Sequence, residues 1–358
     1  MTNIIVLGGS GFIGKSLIQR LERNNFKNVK VMVNSTKIKS KLEKFQGNIL
    51  DKTILKNEIR NGDVIVNLVG QYNGKISNFI DLNINGGLNL LESCKGKKNI
   101  KIILISSIDV YGECVHYPSK EKDEPSPQYD YGLIKLFTEK IYENFANTHG
   151  LDIIVLRLGN LYGPNKKNGL ILNILKSIKK NNIVTINQNG LQQRDYLFID
   201  DAVDGIIQAI QSKLTKYNVI NISSGKRYHS AEIIKLVQEI SHKKLNLRFN
   251  KTVQDEKCIW ANISKAKKLL KFSPKISIKQ GLTLTLSDGD DSVTESMEVY
   301  IYNTYLAGDV RPVGDDLNSD GDSEDAGEFG DELLVAPDVT GRGSPPSDFP
   351  YDGGGKAD

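Results

Sequence analysis

Cysteine is scarce. Cys94, Cys114 and Cys258 are three in 358 residues, odd in number and far apart, so no disulfide framework is expected and reduced thiols in a cytosol fit better. The four histidines are equally dispersed, and neither residue type falls at metal-ligand spacing. No apolar run approaches the ~18 residues of a membrane span, so no membrane partner is expected. The first residues carry no basic region and enter an apolar run at once, which predicts no signal peptide and a cytoplasmic protein. No internal repeat is present. Basic blocks interleaved with aromatics are missing too, so no nucleic acid is expected as partner despite the many lysines.

Charge is not scarce but is badly distributed. The chain totals 47 Lys+Arg and 43 Asp+Glu for a net of +4. Residues 283–358 hold 19 of the acidic and 3 of the basic residues, a net of −16, which leaves +20 on residues 1–282. Lys, Ile and Asn dominate the first part and nearly vanish from the second. This is a composition boundary. Scattered lysines on a large body suit small anionic molecules.

What is abundant is glycine at one place. Ile4-Ile5-Val6-Leu7 is followed by Gly8, Gly11 and Gly14 at G-x-x-G-x-x-G spacing, then by the amphipathic stretch Lys15–Leu21. Strand, tight turn and helix in that order form a dinucleotide site. Glycines admit the sharp turn and the close approach of a pyrophosphate, and the helix N-terminus favours its charge.

Strand and helix periods then alternate. Strands are predicted at Val29–Val33, Phe45–Ile49, Asp63–Leu68, Ile100–Ser106, Ile153–Leu158, Tyr217–Ile222 and Leu245–Phe249. Helices are predicted between the second and third strands and between the third and fourth, and at Phe79–Cys94, Tyr129–Asn147, Leu170–Lys180, Asp201–Ser212, Ala231–Ser241 and Ser264–Leu270. The expected class is α/β, a Rossmann-type doubly wound parallel sheet with helices on both faces and a smaller α/β substrate region. The division is 1–164 for the nucleotide domain, 165–282 for an interleaved substrate region and 283–358 for an acidic extension.

Ser106 and Ser107 end a buried strand, the edge where ligands of open α/β sheets bind. Tyr131 and Lys135 lie four residues apart on one helix and face the same way. A cation near a phenol favours the phenolate, which can exchange protons with a substrate hydroxyl.

With these motifs the chain resembles the extended short-chain dehydrogenases/reductases, in particular the NAD-dependent epimerase/dehydratase family that acts on nucleotide sugars. The resemblance spans about residues 3–282. It rests on Gly8–Gly14, Asn83–Leu91, Ser106–Gly112, Tyr131 with Lys135, Arg157–Pro164, Arg194–Asp201 and Asn221–Gly225. It implies an NAD cofactor contacted by Gly8, Gly11, Phe12, Ile13, Gly14, Asn34, Ile49, Leu68, Asn83 and Lys135. It implies Tyr131 as general acid/base, Lys135 on the nicotinamide ribose, and Ser107 on the reacting oxygen. Asn160 and Arg194 are implied on the substrate diphosphate. A homodimer formed through the helix bearing Tyr131 is usual for the family.

Departures narrow this expectation. Asn34 stands where an Asp would grip the adenosine ribose, with Lys37 near, which leaves NADP open beside NAD. Asn48 replaces an Asp near adenine, Asn67-Leu68-Val69-Gly70 replaces a more usual His-Leu-Ala-Ala, and Ser223 replaces a Gly. No second diphosphate Arg stands near Val253-Gln254-Asp255. Asp109 occupies the place of a Glu in sugar dehydratases and decarboxylases, where it would serve as a second base, but Ile108 precedes it. A 4-epimerase-like enzyme is the leading expectation. An NADP-dependent reductase of a non-sugar carbonyl and a silent nucleotide-binding subunit are the alternatives.

After Leu282 the chain leaves the family pattern. Thr283-Leu284-Thr285-Leu286-Ser287-Asp288 alternates like a strand, as though a foreign extension displaced the family's closing helix. Asp316, Asn318, Asp320 and Asp322 resemble the first half of an EF-hand or dockerin calcium loop. Glu328 arrives one position late for such a loop, so a solvated acidic segment is expected and no metal is assigned.

Overall fold

Six strands of the first half and one from the second form a seven-stranded, all-parallel sheet in a computed structural model, which describes residues 3–70, 75–112, 117–187, 190, 192–250 and 258–287. All of these fall within one compact unit spanning Met1–Tyr302. The nucleotide half runs β1 (Ile4–Leu7), α1 (Phe12–Arg23), β2 (Val29–Val33), β3 (Glu43–Gln46), α2 (Lys52–Glu58), β4 (Val64–Asn67), α3 (Ile76–Ile80), α4 (Gly86–Cys94), β5 (Lys101–Ser107), α5 (Asp130–His149) and β6 (Asp152–Leu158). Beyond it come β7 (Asn160–Tyr162), α6 (Leu170–Lys180), β8 (Ile183–Asn187), β9 (Gln193–Arg194), β10 (Tyr196–Phe198), α7 (Ile199–Gln211) and β11 (Tyr217–Ile222). The last elements are β12 (Tyr228–His229), α8 (Ser230–Ser241), β13 (Asn246–Asn250), β14 (Cys258–Ile259), α9 (Ser264–Leu270) and α10 (Ile278–Ser287).

Sheet order is β11-β6-β5-β4-β1-β2-β3. Every residue of β1 and β4 is buried, as strands covered by helices on both faces must be. The chain winds outward from β1 in both directions, so the switch in winding lies between β1 and β4. A crevice opens at their carboxyl ends, where such sheets bind ligands. There Leu68 donates its N–H to Leu7 O at 2.9 Å, holding the two strand ends together. Although it comes late in sequence, β11 completes this sheet beside β6, from Tyr217↔Ile153 to Ile222↔Leu158. Smaller sheets β10-β7, β12-β9-β14 and β13-β8 stand beyond the crevice.

Three sequence expectations need correction. The helix foreseen between β2 and β3 is absent, because Ser40 Oγ and Lys41 N both donate to Glu22 of α1, at 2.7 and 2.5 Å, and hold that segment as a loop. Its following strand stops at Gln46 rather than Ile49, where Asn48 turns the chain by accepting from Leu50 N at 3.0 Å. The helix foreseen as continuous over Phe79–Cys94 carries a π segment at Asp81–Asn85 between α3 and α4. Asn83 Nδ2 there donates back to Phe79 O at 2.9 Å.

The strand-like reading of Thr283–Ser287 fails as well, since this stretch continues α10 and no closing helix has been displaced through Ser287. The stripe Ile278, Gly281, Leu282 and Thr285 follows helical spacing, and Leu282 is fully buried. Thr285 satisfies its hydroxyl on Gly281 O at 2.5 Å, so period-2 alternation loses to core burial. The calcium-like stretch with Asp316, Asn318, Asp320 and Asp322, like Val253–Asp255, lies outside the described residues. Among the described residues no helix is long and apolar enough to cross a membrane.

Candidate active site

The glycine turn is built as its spacing demands. Gly8 has φ +86°, and a Cβ on it would lie 2.9 Å from the backbone of Leu68 and Val69. A Cβ on Gly14 would lie 2.6 Å from Gly9 Cα, so only glycine lets α1 pack against the turn. Gly11 caps α1 with no side-chain hydrogen bond, leaving the first-turn N–H groups to a ligand. A dinucleotide pyrophosphate fits that cradle.

Opposite the turn, β5 ends in Ser107, which caps a single 3-10 turn over Ile108–Tyr111. Ser107 Oγ accepts from Asp109 N and donates to Asp109 Oδ2, each at 3.1 Å. Gly132 explains how α5 comes so close, since a Cβ there would lie 2.6 Å from Asp109 O. Tyr131 and Lys135 are thereby carried to the end of β5. Lys135 is buried and donates to Ile105 O at 3.0 Å, with Nζ 5.9 Å from the centroid of the Tyr131 ring. Burial pushes the Lys135 ammonium down to about 8, while the Glu139 carboxylate one turn on opposes the shift.

Glu139 is a member of the site that sequence reasoning overlooked. It is 2% exposed, accepts from Ser106 Oγ, and receives Arg157 Nη2 at 2.6 Å and Arg157 Nε at 3.1 Å. Arg157 in turn lies 4.7 Å over the Tyr111 ring, whose hydroxyl donates to Asn221 Oδ1 at 2.7 Å. This polar chain ties β5, α5, β6 and β11 together beneath the reactive groups. The i, i+4 spacing of Lys135 and Glu139 was its only visible signal.

The second half supplies the far wall. β7 and β10 pair in parallel, and Asn160 N donates to Asp195 O at 2.9 Å beside Arg194. Asp195, fully buried and pushed up to about 6 by desolvation, accepts from Ser224 N at 2.9 Å and Gly225 N at 3.0 Å. The two short motifs Arg194-Asp195 and Ser223-Ser224-Gly225 are thus one fixed unit. Asn160 Nδ2 is buried with no partner among the described residues, a donor suited to a ligand oxygen.

One cavity of about 840 Å³ joins these parts. Its wall contains Gly8, Gly11, Phe12, Ile13, Gly14, Leu68, Ser107, Asp109, Tyr131, Lys135, Asn160 and Arg194. Three of the residues singled out from sequence lie elsewhere. Asn34 is exposed at the end of β2 and its carbonyl accepts from Gln46 Nε2. Ile49 is 1% exposed in the core against Gly86. Asn83 is buried behind the cavity, near Gly70. Among the described residues, Lys135, Lys166, Lys176 and Arg194 line the cavity with a single acid, Asp109, so it favours polyanionic ligands.

The geometry agrees with comparisons to known proteins. The sequence profile of the NAD dependent epimerase/dehydratase family matches residues 4–223. A Bacillus subtilis protein described as an uncharacterized UDP-glucose epimerase is 28% identical over 302 residues, covering 78% of this chain and 95% of the relative. The UDP-glucuronate 4-epimerase of Thermodesulfobacterium geofontis is 34% identical over 221 residues, 60% of this chain and 67% of the relative. Among solved structures, the UDP-glucuronic acid 4-epimerase of Bacillus cereus in complex with UDP-glucuronic acid and NAD superposes with a TM-score of 0.72 at 29% identity, covering 80% of this chain and 98% of that one. A glycine cradle, a Ser/Tyr/Lys cluster and a cationic far wall share one cavity, and with the profile matching residues 4–223 the chain belongs to the NAD dependent epimerase/dehydratase family.

Proposed function

We propose that this protein is an NAD-dependent 4-epimerase of a UDP-activated sugar. The observation that carries the reading is one shared cavity, lined by the glycine turn, Ser107, Tyr131 and Lys135 together with Asn160 and Arg194. The relatives named above, described as UDP-glucose and UDP-glucuronate epimerases, support the choice of reaction and nucleotide.

NAD, when bound, supplies hydride chemistry at one sugar carbon. The protein's own work is proton transfer and orientation. Tyr131 takes the proton of the reacting hydroxyl as its carbon becomes a carbonyl, and gives it back when the alcohol re-forms. Lys135, anchored on Ile105 O, presents a cation that favours the phenolate. Ser107 hydrogen-bonds the reacting oxygen, with its hydroxyl oriented by Asp109. Arg194 and the unpartnered Asn160 amide hold the diphosphate, for which a guanidinium fork is suited. Gly8, Gly11, Phe12, Ile13, Gly14 and Leu68 seat the dinucleotide, with Asn34 at its adenosine end.

A second reading is favoured by Asp109, whose carboxylate faces the same cavity as Tyr131. A second base there would suit elimination or decarboxylation at a neighbouring carbon. Incubation with UDP-, dTDP-, GDP- and CDP-sugars separates the two, because epimerisation conserves mass whereas elimination loses water and decarboxylation loses carbon dioxide. No turnover of any nucleotide sugar would leave neither reading standing.

The division into nucleotide and substrate regions at residue 164 belongs to this proposal, as does a cytoplasmic setting. So does homodimer formation, supported by the exposed apolar stripe Leu133 and Phe137 on α5, flanked by Ile76 and Ile80 of α3.

A further inference from the structure

We propose that Lys166 is a cationic clamp on the dinucleotide pyrophosphate, reaching over the glycine turn from the opposite wall of the cavity. This rests on the dinucleotide reading above. Lys166 lies in the loop between β7 and α6, and its ammonium stands 4.9 Å from the centroid of the Phe12 ring. Phe12 is the first residue of α1, between the second and third glycines of the turn, where N–H groups have no side-chain cap. The ammonium therefore sits beside the positive end of a helix dipole.

The loop is built to keep it there. Lys166 N donates to Gly163 O at 3.3 Å, closing a turn. Gly163 has φ +144° and a Cβ on it would meet Ile199 Cγ2 at 2.6 Å, so the turn is seated against α7. Asn165 takes φ +63°, a conformation asparagine tolerates better than most residues.

No carboxylate among the described residues forms an ion pair with Lys166, and its environment is the phenyl face and the cavity. Burial lowers its pKa below the usual lysine value with no opposing charge among the causes. A π face compensates a half-buried ammonium weakly. Two positive ends pointing at one space are mutually unfavourable unless an anion lies between them. The pyrophosphate that the glycine turn is shaped to receive is that anion. The other cavity cations have separate places, Lys135 on Ile105 O at the end of β5 and Arg194 beside Asn160 on the far wall. Each diphosphate would then have its own cation, Lys166 for the dinucleotide and Arg194 for the substrate.

Binding isotherms of NADH, ADP-ribose and UDP on the full chain, compared among wild type, Lys166→Gln and Lys166→Arg, test the assignment. A lost charge-assisted hydrogen bond predicts that Lys166→Gln weakens NADH and ADP-ribose about tenfold or more. Lys166→Arg keeps most of the affinity, and UDP binds equally to all three. Melting curves matching wild type would show that the variants are folded. NADH affinity unchanged in Lys166→Gln overturns the clamp. So does a loss confined to UDP, which would place Lys166 on the substrate. If wild type binds neither NADH nor ADP-ribose, the dinucleotide reading itself fails and takes the clamp with it. Should Lys166→Gln unfold, Lys166→Met carries the same comparison: weaker and less steeply salt-dependent NADH binding supports the clamp, and NADH affinity and salt dependence equal to wild type overturn it.

Discussion

The hydroxyl of Ser107 and the carboxylate of Asp109 hold each other. Ser107 Oγ donates to Asp109 Oδ2 and accepts from Asp109 N, both at 3.1 Å, across one turn of 3-10 helix at the end of β5. Asp109 is thus engaged with the residue that would touch the reacting oxygen. As a positioning group, it contributes about one hydrogen bond's worth of orientation, so Asp109→Asn should slow epimerisation by about tenfold or less. Coupled assays of product sugar measure this. Loss of all turnover together with loss of a keto-deoxy or decarboxylated product would instead make Asp109 the second base.

In the proposed mechanism Lys135 sets the alkaline limit. Its folded-state pKa lies near 8 because burial disfavours the ammonium, with Glu139 as the opposing influence. Below about 8 the ammonium is present and favours the Tyr131 phenolate; above it the cation is lost. Activity should therefore fall on the alkaline side with a midpoint near 8, one that belongs to the coupled Tyr131 and Lys135 pair. Glu139→Gln removes the carboxylate that raises the Lys135 pKa, so the midpoint should move to lower pH. A kcat profile with its alkaline midpoint unmoved in Glu139→Gln contradicts this coupling.

Asn34 is the residue proposed to meet the adenosine end. A carboxylate there would grip the ribose diol and repel a 2′-phosphate. Asn34→Asp should raise the preference for NAD over NADP by about tenfold, equivalent to ~1.4 kcal/mol. Paired NADH and NADPH titrations read it out. An unchanged ratio would mean that the exposed end of β2 does not meet the cofactor.

Leu133 and Phe137 are 56% and 55% exposed, one turn apart on α5. Charging both should give a monomer from a dimer, as apolar patches of this kind mark interfaces. Sedimentation of wild type and the Leu133→Glu/Phe137→Glu variant tests it, and a monomeric wild type contradicts it.

Much of this was legible because local chemistry and the fold agree. The glycine triplet, the buried runs of β1, β4 and β5, and the Tyr131/Lys135 spacing each need no partner from afar to be read. Those that were misread depend on distant partners. Residues 35–42 look helical until Glu22 is found accepting from Ser40 and Lys41. Thr283–Ser287 looks like a strand until Leu282 is found in the core. Glu139 and Arg157 are 18 residues apart and meet only because β6 lies beside β5 under α5. Lys166 meets Phe12 across most of the nucleotide half, a contact with no local signature.

Turnover of a UDP-sugar by Tyr131→Phe, measured beside retention of NAD, tests the central claim most directly. The phenol is the group proposed to move the proton, so its loss should cost about 10²–10⁴-fold in kcat while NAD stays bound. Equal turnover by Tyr131→Phe and wild type would contradict it.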